Sequence, residues 1–379
     1  MIPFNKPYMT GKEMHYIYDA VYSGKISGDG KYTKKCQEYF QNKYNFKKCL
    51  LTTSCTDALE MSAILLNIKE NDEIIMPSFT FVSTANAFVL RGAKIVFCDS
   101  RNDHPGMDEN AIESLITKNT KAIVVVHYAG IACDMDLIMQ IANKYNLYVV
   151  EDAAQAIDSF YYSNKNKKKY ALGSIGHLAA LSFHETKNII SGEGGMLIIN
   201  DEKMIDRAEI IWEKGTNRSS FYRGEINKYG WVDLGSSFLP SEIIAAFLWA
   251  QLENLEFIQN RRKEIWSFYN SNLVDWAKEN NIILPYIPNY ATHNAHMYYM
   301  IFKSLKERQY FIEELKQKKI FSVFHYQSLH ESDFHIKKMK NKMIKLEHSE
   351  DYTEKLVRLP FYFEIDEHKV VDSVIQISL

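Results

Sequence analysis

The chain has 379 residues, of which 46% are hydrophobic and 24% are charged, and its formal net charge is −2. This length and composition are typical of a soluble globular protein with one large domain and a smaller one. The balanced charge gives no electrostatic case for nucleic-acid binding, and no apolar run is long enough to span a membrane.

The cysteines and the N-terminus predict a reducing, cytoplasmic setting. The five cysteines are scattered, odd in number and without C-x-x-C spacing, so they predict neither a disulfide framework nor a zinc site. Residues 1–7 do not resemble a signal peptide, and we expect a cytoplasmic protein without a bound metal. The cysteines are Cys36, Cys49, Cys55, Cys98 and Cys133.

The first 35 residues or so are predicted to form an arm that packs on other parts of the protein. They alternate polar and aromatic side chains without a sustained core pattern. An amphipathic stretch covers Gly11–Tyr22, and Ser27–Gly30 predicts a turn or loop.

From about residue 48, short apolar runs alternate with helical patterns. Several runs are continuous in valine, isoleucine and leucine, as expected of strands buried on both faces of a sheet. The alternation predicts an α/β domain with a largely parallel sheet, whose ligands bind at the carboxyl ends of the strands. The strand candidates are Cys49–Thr53, Glu73–Met76, Lys94–Cys98, Ala122–His127, Leu147–Glu151, Leu178–Phe183 and Met196–Ile199. The helix candidates between them are Asp57–Leu66, Val82–Arg91 and Asp136–Tyr145.

The C-terminal third is predicted to form a small α+β domain that follows a long helix. The helical pattern runs from Pro240 to about Asn272, a length that commonly bridges two domains. We therefore divide the chain into an N-terminal arm with a large domain, 1–250, and a bridging helix with a small domain, 251–379. The predicted elements of the small domain are strands Met297–Phe302 and Phe321–His325 and helix Glu307–Lys318.

Ser54, Cys55 and Thr56 follow the first strand and directly precede a helical pattern. Hydroxyl groups and free backbone N–H groups at a helix N-terminus form a ready anion site. The alternative is an ordinary helix cap without a ligand.

Phe79 and Phe81 follow the second strand. Either ring could lie against a planar ligand bound at the strand ends. The alternative, core packing, is the usual reason for aromatic side chains at such positions.

Asp152 follows the fifth strand candidate, and Gln155 lies one helical turn later. A carboxylate at this position could hold a proton on a buried heterocyclic nitrogen. The alternative is a cap for the next helix.

The stretch Leu178–Gly195 places Ser182 and Lys187 between an apolar strand and a glycine-rich turn. A lone lysine is usually a solvated surface charge. Combined with an anion site, an aromatic ring and a carboxylate, however, it completes the set of groups that pyridoxal phosphate requires. No G-x-G-x-x-G follows a strand, so a nicotinamide cofactor has little support.

Asp152-x-x-Gln155 and Ser182–Asn188 resemble the motifs of the DegT/DnrJ group of nucleotide-sugar aminotransferases, which are fold-type I pyridoxal-phosphate enzymes. Within that group, stretches spread over nearly the whole chain resemble the dTDP-4-amino-4,6-dideoxygalactose transaminases. These stretches are Thr52–Leu59, Met76–Asp99, His127–Gly130, Ser182–Asn188, Lys214–Ser219 and His325–Tyr326. The resemblance implies an aspartate aminotransferase-like α/β fold, with a mostly parallel central sheet and a smaller C-terminal α+β domain. It also implies a homodimer with the active site at the subunit interface.

The resemblance assigns a role to each matching residue. It implies that Lys187 forms a Schiff base with pyridoxal 5′-phosphate and that Asp152 pairs with the ring nitrogen. Gln155 would contact the hydroxyl side of the ring, and Phe81 would stack on the ring. The implied phosphate ligands are Ser54, Cys55, Thr56 and Ser182. The candidate substrate-binding residues are Asn188, Lys214, Arg218, His325 and Tyr326.

The implied reaction is a ping-pong transamination that carries an amino group from L-glutamate to a dTDP-4-keto-6-deoxyhexose, for surface polysaccharide synthesis such as that of the lipopolysaccharide O-antigen. The product would be dTDP-4-amino-4,6-dideoxygalactose. One alternative is another nucleotide-sugar 3- or 4-aminotransferase, for example one giving a gluco product. The others are a sugar dehydratase that uses the same cofactor and a non-catalytic regulatory relative. Dehydratase relatives carry a histidine where this chain has Lys187.

The chain departs from its relatives near the start of the long helix. Many relatives place an asparagine, and two residues later an arginine or asparagine, after a glycine in this region. These side chains contact the phosphate bound by the partner subunit. Here the segment reads Gly235–Leu239, where Ser237 could donate a hydrogen bond but the Leu239 side chain could not.

Overall fold

The structure, a computed structural model, describes residues 1–339 and 344–379. Its strands form one seven-stranded sheet, one three-stranded sheet and one hairpin. The strands are β1 (Lys48–Thr52), β2 (Glu73–Pro77), β3 (Lys94–Cys98), β4 (Thr120–Val126), β5 (Tyr148–Asp152), β6 (Phe160–Tyr162), β7 (Lys169–Ala171), β8 (Leu178–Ser182), β9 (Gly195–Ile199), β10 (Tyr299–Ile301), β11 (Val323–Phe324) and β12 (Leu356–Arg358).

The α-helices alternate with the strands of the large sheet and then dominate the C-terminal half. Of the helices in the described ranges, none is long and apolar enough to cross a bilayer. The helices are α1 (Glu13–Tyr22), α2 (Lys31–Tyr44), α3 (Cys55–Leu65), α4 (Val82–Val89), α5 (Ile112–Leu115), α6 (Met135–Tyr145), α7 (Ile205–Trp212), α8 (Arg218–Tyr222), α9 (Glu242–Leu252), α10 (Leu255–Asn280), α11 (Leu305–Gln317), α12 (Glu347–Lys355) and α13 (Glu367–Ile375).

The large sheet has the strand order β1-β9-β8-β5-β4-β2-β3. Neighbouring strands from β8 through β3 pair in parallel, and β9 runs antiparallel to both of its neighbours. All the strands predicted before residue 200 lie in this sheet, so the predicted α/β fold class with a mostly parallel sheet is confirmed.

Hydrophobic cores cover both faces of the large sheet. Val149 and Ile123 pack into one core, whereas their neighbours Val150 and Val124 pack into the other. Successive side chains of a strand point to opposite faces, so a sheet covered on both sides needs apolar residues at every position. The continuous apolar runs in the sequence have this physical cause.

The small sheet has the order β10-β12-β11 and is antiparallel. It packs with α10, α11 and α13 around a separate hydrophobic cluster that includes Trp276, Phe311 and Val374. The two strands and the helix predicted here are confirmed, although both strands are shorter than expected. β12 was not predicted because three residues are too few for a periodic signal. The domain division at residue 250 stays a prediction.

The arm over the first 35 residues or so stays a prediction, and α2, which begins near its end, has a core face that the sequence analysis did not identify. Tyr32, Cys36 and Phe40 are buried and recur every four residues, which is a helical core pattern. The carboxylate of Glu242 accepts hydrogen bonds from the backbone N–H groups of Gly30 at 3.0 Å and Tyr32 at 2.7 Å. It therefore caps α2 from α9, a long-range contact that local sequence does not reveal.

The long helix predicted from Pro240 to Asn272 is divided into α9 and α10. Asn254 has φ −110° and ψ 13°, outside helical geometry, and separates the two helices. Its side-chain amide donates a hydrogen bond of 2.9 Å to the carbonyl of Ala250, and such local bonds compete with the helical backbone ladder. The apolar pattern continues through the break and so does not reveal it.

Candidate active site

A cavity of about 590 Å³ lies where the carboxyl ends of the large-sheet strands meet residues of the small sheet and the N-terminal arm. This is where parallel sheets place their ligands. All the residues predicted to bind a cofactor line this cavity, although they are spread over more than 130 positions of sequence. They are Ser54, Cys55, Thr56, Phe81, Asp152, Gln155, Ser182 and Lys187.

The N-terminus of α3 forms the part of the cavity that suits an anion. Ser54 caps the helix in an extended conformation, and its hydroxyl accepts a hydrogen bond of 3.1 Å from the backbone N–H of Asp57. The first N–H groups of the helix have no intrahelical acceptor and lie at the positive end of its dipole. A Cβ at Gly195, in β9, would collide with the Ser54–Cys55 backbone, so only glycine permits this close approach.

Asp152 ends β5 and is buried in the cavity wall. Its carboxylate accepts hydrogen bonds of 2.7 Å from the hydroxyl of Thr84 and 3.2 Å from the backbone N–H of Ala154. Burial raises the pKa of Asp152, while Thr84 and the charge of Lys187 oppose that shift. A cationic ring nitrogen would favour ionisation further, so the carboxylate fits such a partner.

Thr84 is a residue of this site that the sequence did not identify. It lies in the first turn of α4, and its hydroxyl also forms a hydrogen bond of 2.9 Å with the Thr80 hydroxyl. The run of small hydroxyl residues after β2 was the available signal, but a hydroxyl in a helix usually bonds to its own backbone.

Lys187 lies in the loop between β8 and β9 and faces the cavity. The loop is held by a hydrogen bond of 2.9 Å from the Lys187 backbone N–H to the His184 carbonyl. Burial lowers the pKa of Lys187, and the nearby Arg358 acts in the same direction, whereas Cys55 and Asp152 oppose the shift. An amine with a lowered pKa is a better nucleophile near neutral pH than an ordinary lysine.

Gln155 joins the cavity wall at the ends of the large-sheet strands to the opposite wall. Its side-chain oxygen Oε1 accepts a hydrogen bond of 2.7 Å from the Ala129 N–H, and its side-chain Nε2 donates a hydrogen bond of 3.1 Å to the Tyr326 hydroxyl. The Tyr128 hydroxyl and the His325 ring form a further hydrogen bond of 2.8 Å. Side chains on both sides are therefore held in fixed orientations.

Phe81 and Phe79 have different environments. Phe81 is 56% exposed and lines the cavity, with its ring centroid 6.1 Å from that of Tyr326. Phe79 is 1% exposed and packs against Tyr128 and Tyr352. Of the two rings, Phe81 is therefore the one available to a planar ligand.

The structure separates the candidate substrate residues into two sets. His325 and Tyr326 line the cavity, whereas Asn188, Lys214 and Arg218 do not. The Asn188 amide donates hydrogen bonds of 2.8 Å to the Gln259 side chain and to the Asn294 carbonyl, and its oxygen bonds to the His296 ring at 2.8 Å. Lys214 and Arg218 lie 3.8 and 3.9 Å from Glu213. A substrate role for these three residues stays a prediction.

Residues distant in sequence complete the cavity, and they were not predicted as site residues. Phe4 and Asn5 come from the N-terminal arm, and the Asn5 amide donates a hydrogen bond of 3.2 Å to the Glu185 carbonyl. His296 and Arg358 come from the C-terminal part of the chain. Their positions depend on tertiary contacts and not on a local motif.

Comparisons with known proteins match nearly the whole chain. The profile of the DegT/DnrJ/EryC1/StrS aminotransferase family matches residues 7–377. An uncharacterised protein, MJ1066, from Methanocaldococcus jannaschii is 34% identical over 98% of this chain and 96% of its own. A GDP-perosamine synthase from Escherichia coli O157:H7 is 35% identical over 72% of this chain and 71% of its own.

Solved structures have the same fold. The putative sugar aminotransferase Spr1654 from Streptococcus pneumoniae, in its PMP-form, superposes with a TM-score of 0.89 at 26% identity. The superposition covers 99% of this chain and 98% of that one. The PLP-form of the same protein superposes with a TM-score of 0.88. These matches extend over the large sheet, the small sheet and the cavity between them.

Proposed function

Since the chain belongs to the DegT/DnrJ/EryC1/StrS aminotransferase family, we propose that it transfers an amino group from L-glutamate to a dTDP-linked 4-keto-6-deoxyhexose. The products are dTDP-4-amino-4,6-dideoxygalactose and 2-oxoglutarate. The observation that carries this proposal is the shared cavity of Lys187, Asp152 and the N-terminus of α3. Aminotransferase chemistry needs an amine, a carboxylate for a ring nitrogen and an anion site, and this cavity offers all three.

The cofactor is pyridoxal 5′-phosphate. The residues fit this group, because the N-terminus of α3 and Ser182 offer donors to a phosphate and Asp152 offers a carboxylate to the ring nitrogen. Phe81 presents a half-exposed ring beside the same cavity. When bound, the cofactor supplies an electron sink that makes the α-hydrogen of an amino acid acidic.

Lys187 is the residue that we assign to attachment and proton transfer. Its Nζ would hold the cofactor between turnovers and, when free, would take the proton from the donor α-carbon. The lowered pKa keeps a larger fraction of the amine neutral than in an ordinary lysine, as a general base requires. Asp152 would hold the proton on the ring nitrogen of the bound cofactor, and Gln155 would orient the ring from its hydroxyl side.

The nucleotide base has two candidates. The resemblance of stretches such as Met76–Asp99 favours a dTDP sugar, whereas the 35% identity to a GDP-perosamine synthase favours a GDP-linked keto sugar. Incubation with L-glutamate and either dTDP-4-keto-6-deoxyglucose or its GDP-linked counterpart, followed by NMR of the product, decides between them. We expect an axial amine at C4 of the dTDP sugar. An equatorial amine moves the assignment to a gluco-type product, and failure of both sugars contradicts the proposal.

A homodimer completes this proposal. Between α8 and α9, large apolar side chains are exposed in the single chain, among them Trp231 at 85% and Val232 at 55%. The Thr53 N–H donates a hydrogen bond of 3.0 Å to the Phe238 carbonyl, so this segment adjoins the anion site. Exposed apolar patches of this kind mark interaction surfaces. Light scattering on the purified protein should give twice the chain mass, and a monomer contradicts the assignment.

Ser237 is the residue of this segment that we assign to the phosphate bound by the partner subunit. It is exposed in the single chain, as a cross-subunit donor must be. Ser237→Ala is expected to weaken cofactor retention by about threefold, the effect of one net hydrogen bond. Unchanged retention would show that the usual contact is missing from this chain.

A further inference from the structure

A second groove lies at the opposite edge of the large sheet from the active-site cavity. Its volume is about 640 Å³, which is within the range of small-molecule binding sites. His177 directly precedes β8 and Asn200 directly follows β9, so this rear groove adjoins the amino end of β8, whereas the cavity adjoins its carboxyl end. All the predicted site residues lie outside the rear groove. Its charged and polar lining includes Lys47, Lys168, Lys169, His177, Asn200 and Asp201.

The rear groove is positively charged, although the whole chain has a net charge of −2. Among the described residues, three lysines and one aspartate line it. Lys168 and Lys169 have no carboxylate within 4.0 Å in residues 1–339 and 344–379, whereas Lys47 pairs with the exposed Glu202. The Lys169 ammonium lies 3.9 Å from the centre of the Phe160 ring, a contact that orients the ammonium without neutralising it. Two ammonium groups are therefore available to an anion.

His177 provides a further donor from the wall of the rear groove. Its Nδ1 accepts a hydrogen bond of 3.0 Å from the backbone N–H of Val149, so the neutral ring carries its hydrogen on Nε2. Nε2 has no hydrogen-bond partner within the described part of the chain. The ring is half-buried and packs edge-on against Tyr148, with the ring centroids 5.3 Å apart. His177 is therefore an N–H donor of fixed orientation.

Asn200 provides an acceptor in the same groove. Its side-chain amide donates hydrogen bonds of 2.9 Å to the Gly173 carbonyl and 2.8 Å to the Gly176 carbonyl. Both amide hydrogens are therefore used within the protein, and the side-chain oxygen remains for a donor such as a hydroxyl group. The rear groove thus combines donors for an anion with an acceptor for a hydroxyl.

The turn that forms one wall of the rear groove is held from inside the protein. The buried Glu151 carboxylate accepts hydrogen bonds from the backbone N–H groups of Gly173 at 2.7 Å and Ile175 at 2.8 Å. It also accepts a hydrogen bond from the N–H of Gly176. A wall that is ordered before binding loses little conformational entropy when a ligand binds. This groove is therefore preorganised.

We propose that the rear groove binds a small sugar phosphate. Lys168, Lys169 and the His177 N–H bind the phosphate, and the Asn200 side-chain oxygen accepts a hydrogen bond from a sugar hydroxyl. Lysine ammonium groups act as point charges on a phosphate, whereas a carboxylate is better matched by the planar fork of an arginine, and no arginine of the described ranges lines the groove.

A small molecule fits this groove better than an anionic membrane surface does. A flat lipid surface reaches the exposed Lys168 but does not enter a groove to contact a half-buried ring such as that of His177. Binding at the rear groove goes beyond the proposed function, because it involves neither Lys187 nor the cofactor. Its presence or absence therefore leaves the aminotransferase assignment unchanged.

The first test is isothermal titration calorimetry of the cofactor-loaded enzyme with glucose 1-phosphate, glucose and inorganic phosphate. We expect glucose 1-phosphate to bind at least about tenfold more tightly than glucose or inorganic phosphate, because each of these engages only part of the groove. If inorganic phosphate binds as tightly as glucose 1-phosphate, the sugar is not recognised and the inference is overturned. Absence of binding by glucose 1-phosphate overturns it as well.

The second test locates the site with two matched pairs of substitutions on the β6–β7 hairpin. The groove pair is Lys168→Gln with Lys169→Gln, and the control pair is Lys165→Gln with Lys167→Gln. All four lysines are exposed and each pair removes two charges, but Lys165 and Lys167 do not line the groove. At physiological salt, which screens the fields of exposed charges beyond about 8 Å, the groove pair should weaken binding of glucose 1-phosphate about tenfold or more.

The control pair should change this affinity by less than about twofold. An equal loss in both pairs shows a general attraction to the basic hairpin and overturns the inference, as does unchanged affinity in the groove pair. His177→Phe should weaken binding about fivefold, the effect of one net hydrogen bond. Unchanged affinity in His177→Phe places the phosphate elsewhere and also overturns the inference. If His177→Phe does not fold, the exposed lysine pairs decide the outcome.

Sedimentation with phosphatidylserine vesicles separates the small molecule from a membrane. We expect the protein to stay in the supernatant at physiological salt. Sedimentation that is lost in Lys168→Gln with Lys169→Gln, together with weak binding of glucose 1-phosphate, assigns these lysines to a lipid surface and overturns the inference.

Discussion

The two walls of the active-site cavity are built in different ways. The large-sheet wall consists of groups at the start of α3, which follows β1, at the ends of β5 and β8, and in the loop after β8. The small-sheet wall consists of groups in or beside β10, β11 and β12. The members of the large-sheet wall are Ser54, Cys55, Thr56, Asp152, Ser182 and Lys187, and those of the small-sheet wall are His296, His325, Tyr326 and Arg358.

This difference separates two tasks. The large-sheet wall offers an anion site, a carboxylate and an amine, which suit the cofactor used in both half-reactions. The small-sheet wall offers one permanent cation, Arg358, and two neutral rings, His296 and His325, which suit particular substrates. Damage to the large-sheet wall should therefore slow both half-reactions equally, and damage to the small-sheet wall should slow one of them.

The largest effect is expected for Lys187→Ala. Without the amine, both half-reactions should slow by about three orders of magnitude or more, and the visible absorbance of the bound cofactor should be lost. Single-turnover kinetics and an absorbance spectrum measure the two effects. Lys278→Ala, at the exposed end of α10, should behave as wild type. Near-normal turnover in Lys187→Ala would remove Lys187 from the mechanism.

Asp152→Asn is expected to slow both half-reactions by about 100-fold. The amide keeps the shape of the side chain but has no charge with which to hold a proton on the ring nitrogen. Rates with the donor and with the amino-sugar nucleotide are compared in the same preparation. A loss confined to one substrate would contradict the shared role of the large-sheet wall.

Thr84→Val should have a smaller effect of the same kind. It removes the 2.7 Å hydrogen bond to the Asp152 carboxylate, and bonds to charged groups contribute about 1.5–3 kcal/mol. We expect roughly a tenfold loss in both half-reactions and weaker cofactor retention in equilibrium dialysis. Thr117→Val is the matched control, because it removes an exposed hydrogen bond from the Thr117 hydroxyl to the Glu73 carboxylate, outside the cavity. An equal loss in the control would show a general effect on stability.

The smallest expected effect is a shift in the pH dependence of cofactor uptake. The pKa of Lys187 is lowered below 10.5, and only the neutral amine reacts with the cofactor aldehyde. The rate of cofactor uptake by the apoenzyme should therefore rise with pH and level off at high pH, and the midpoint of this rise should lie below 10.5. Stopped-flow absorbance over the alkaline range measures it. A midpoint at or above that of free lysine would show that burial does not control this amine.

The large-sheet wall could be predicted from sequence, whereas the small-sheet wall could be predicted only in part. In a parallel sheet, every strand delivers the residues after it to the same edge, so local motifs around Ser54, Asp152 and Lys187 were enough. Arg358 lies in a strand of three residues and reaches the cavity only through tertiary contacts. Adjacency to Lys187 gave no indication that the Asn188 amide bonds to Gln259 and Asn294, which are distant in sequence, and a substrate role for Asn188 stays a prediction.

The proposed mechanism depends on attachment of the cofactor to Lys187 in this cavity. The most direct measurement is borohydride reduction of the cofactor-loaded enzyme, which makes the bond between amine and cofactor permanent, followed by proteolysis and mass spectrometry. We expect the added mass on Lys187 and on no other lysine. An added mass on a different lysine, or none on a protein that has retained the cofactor, would contradict it.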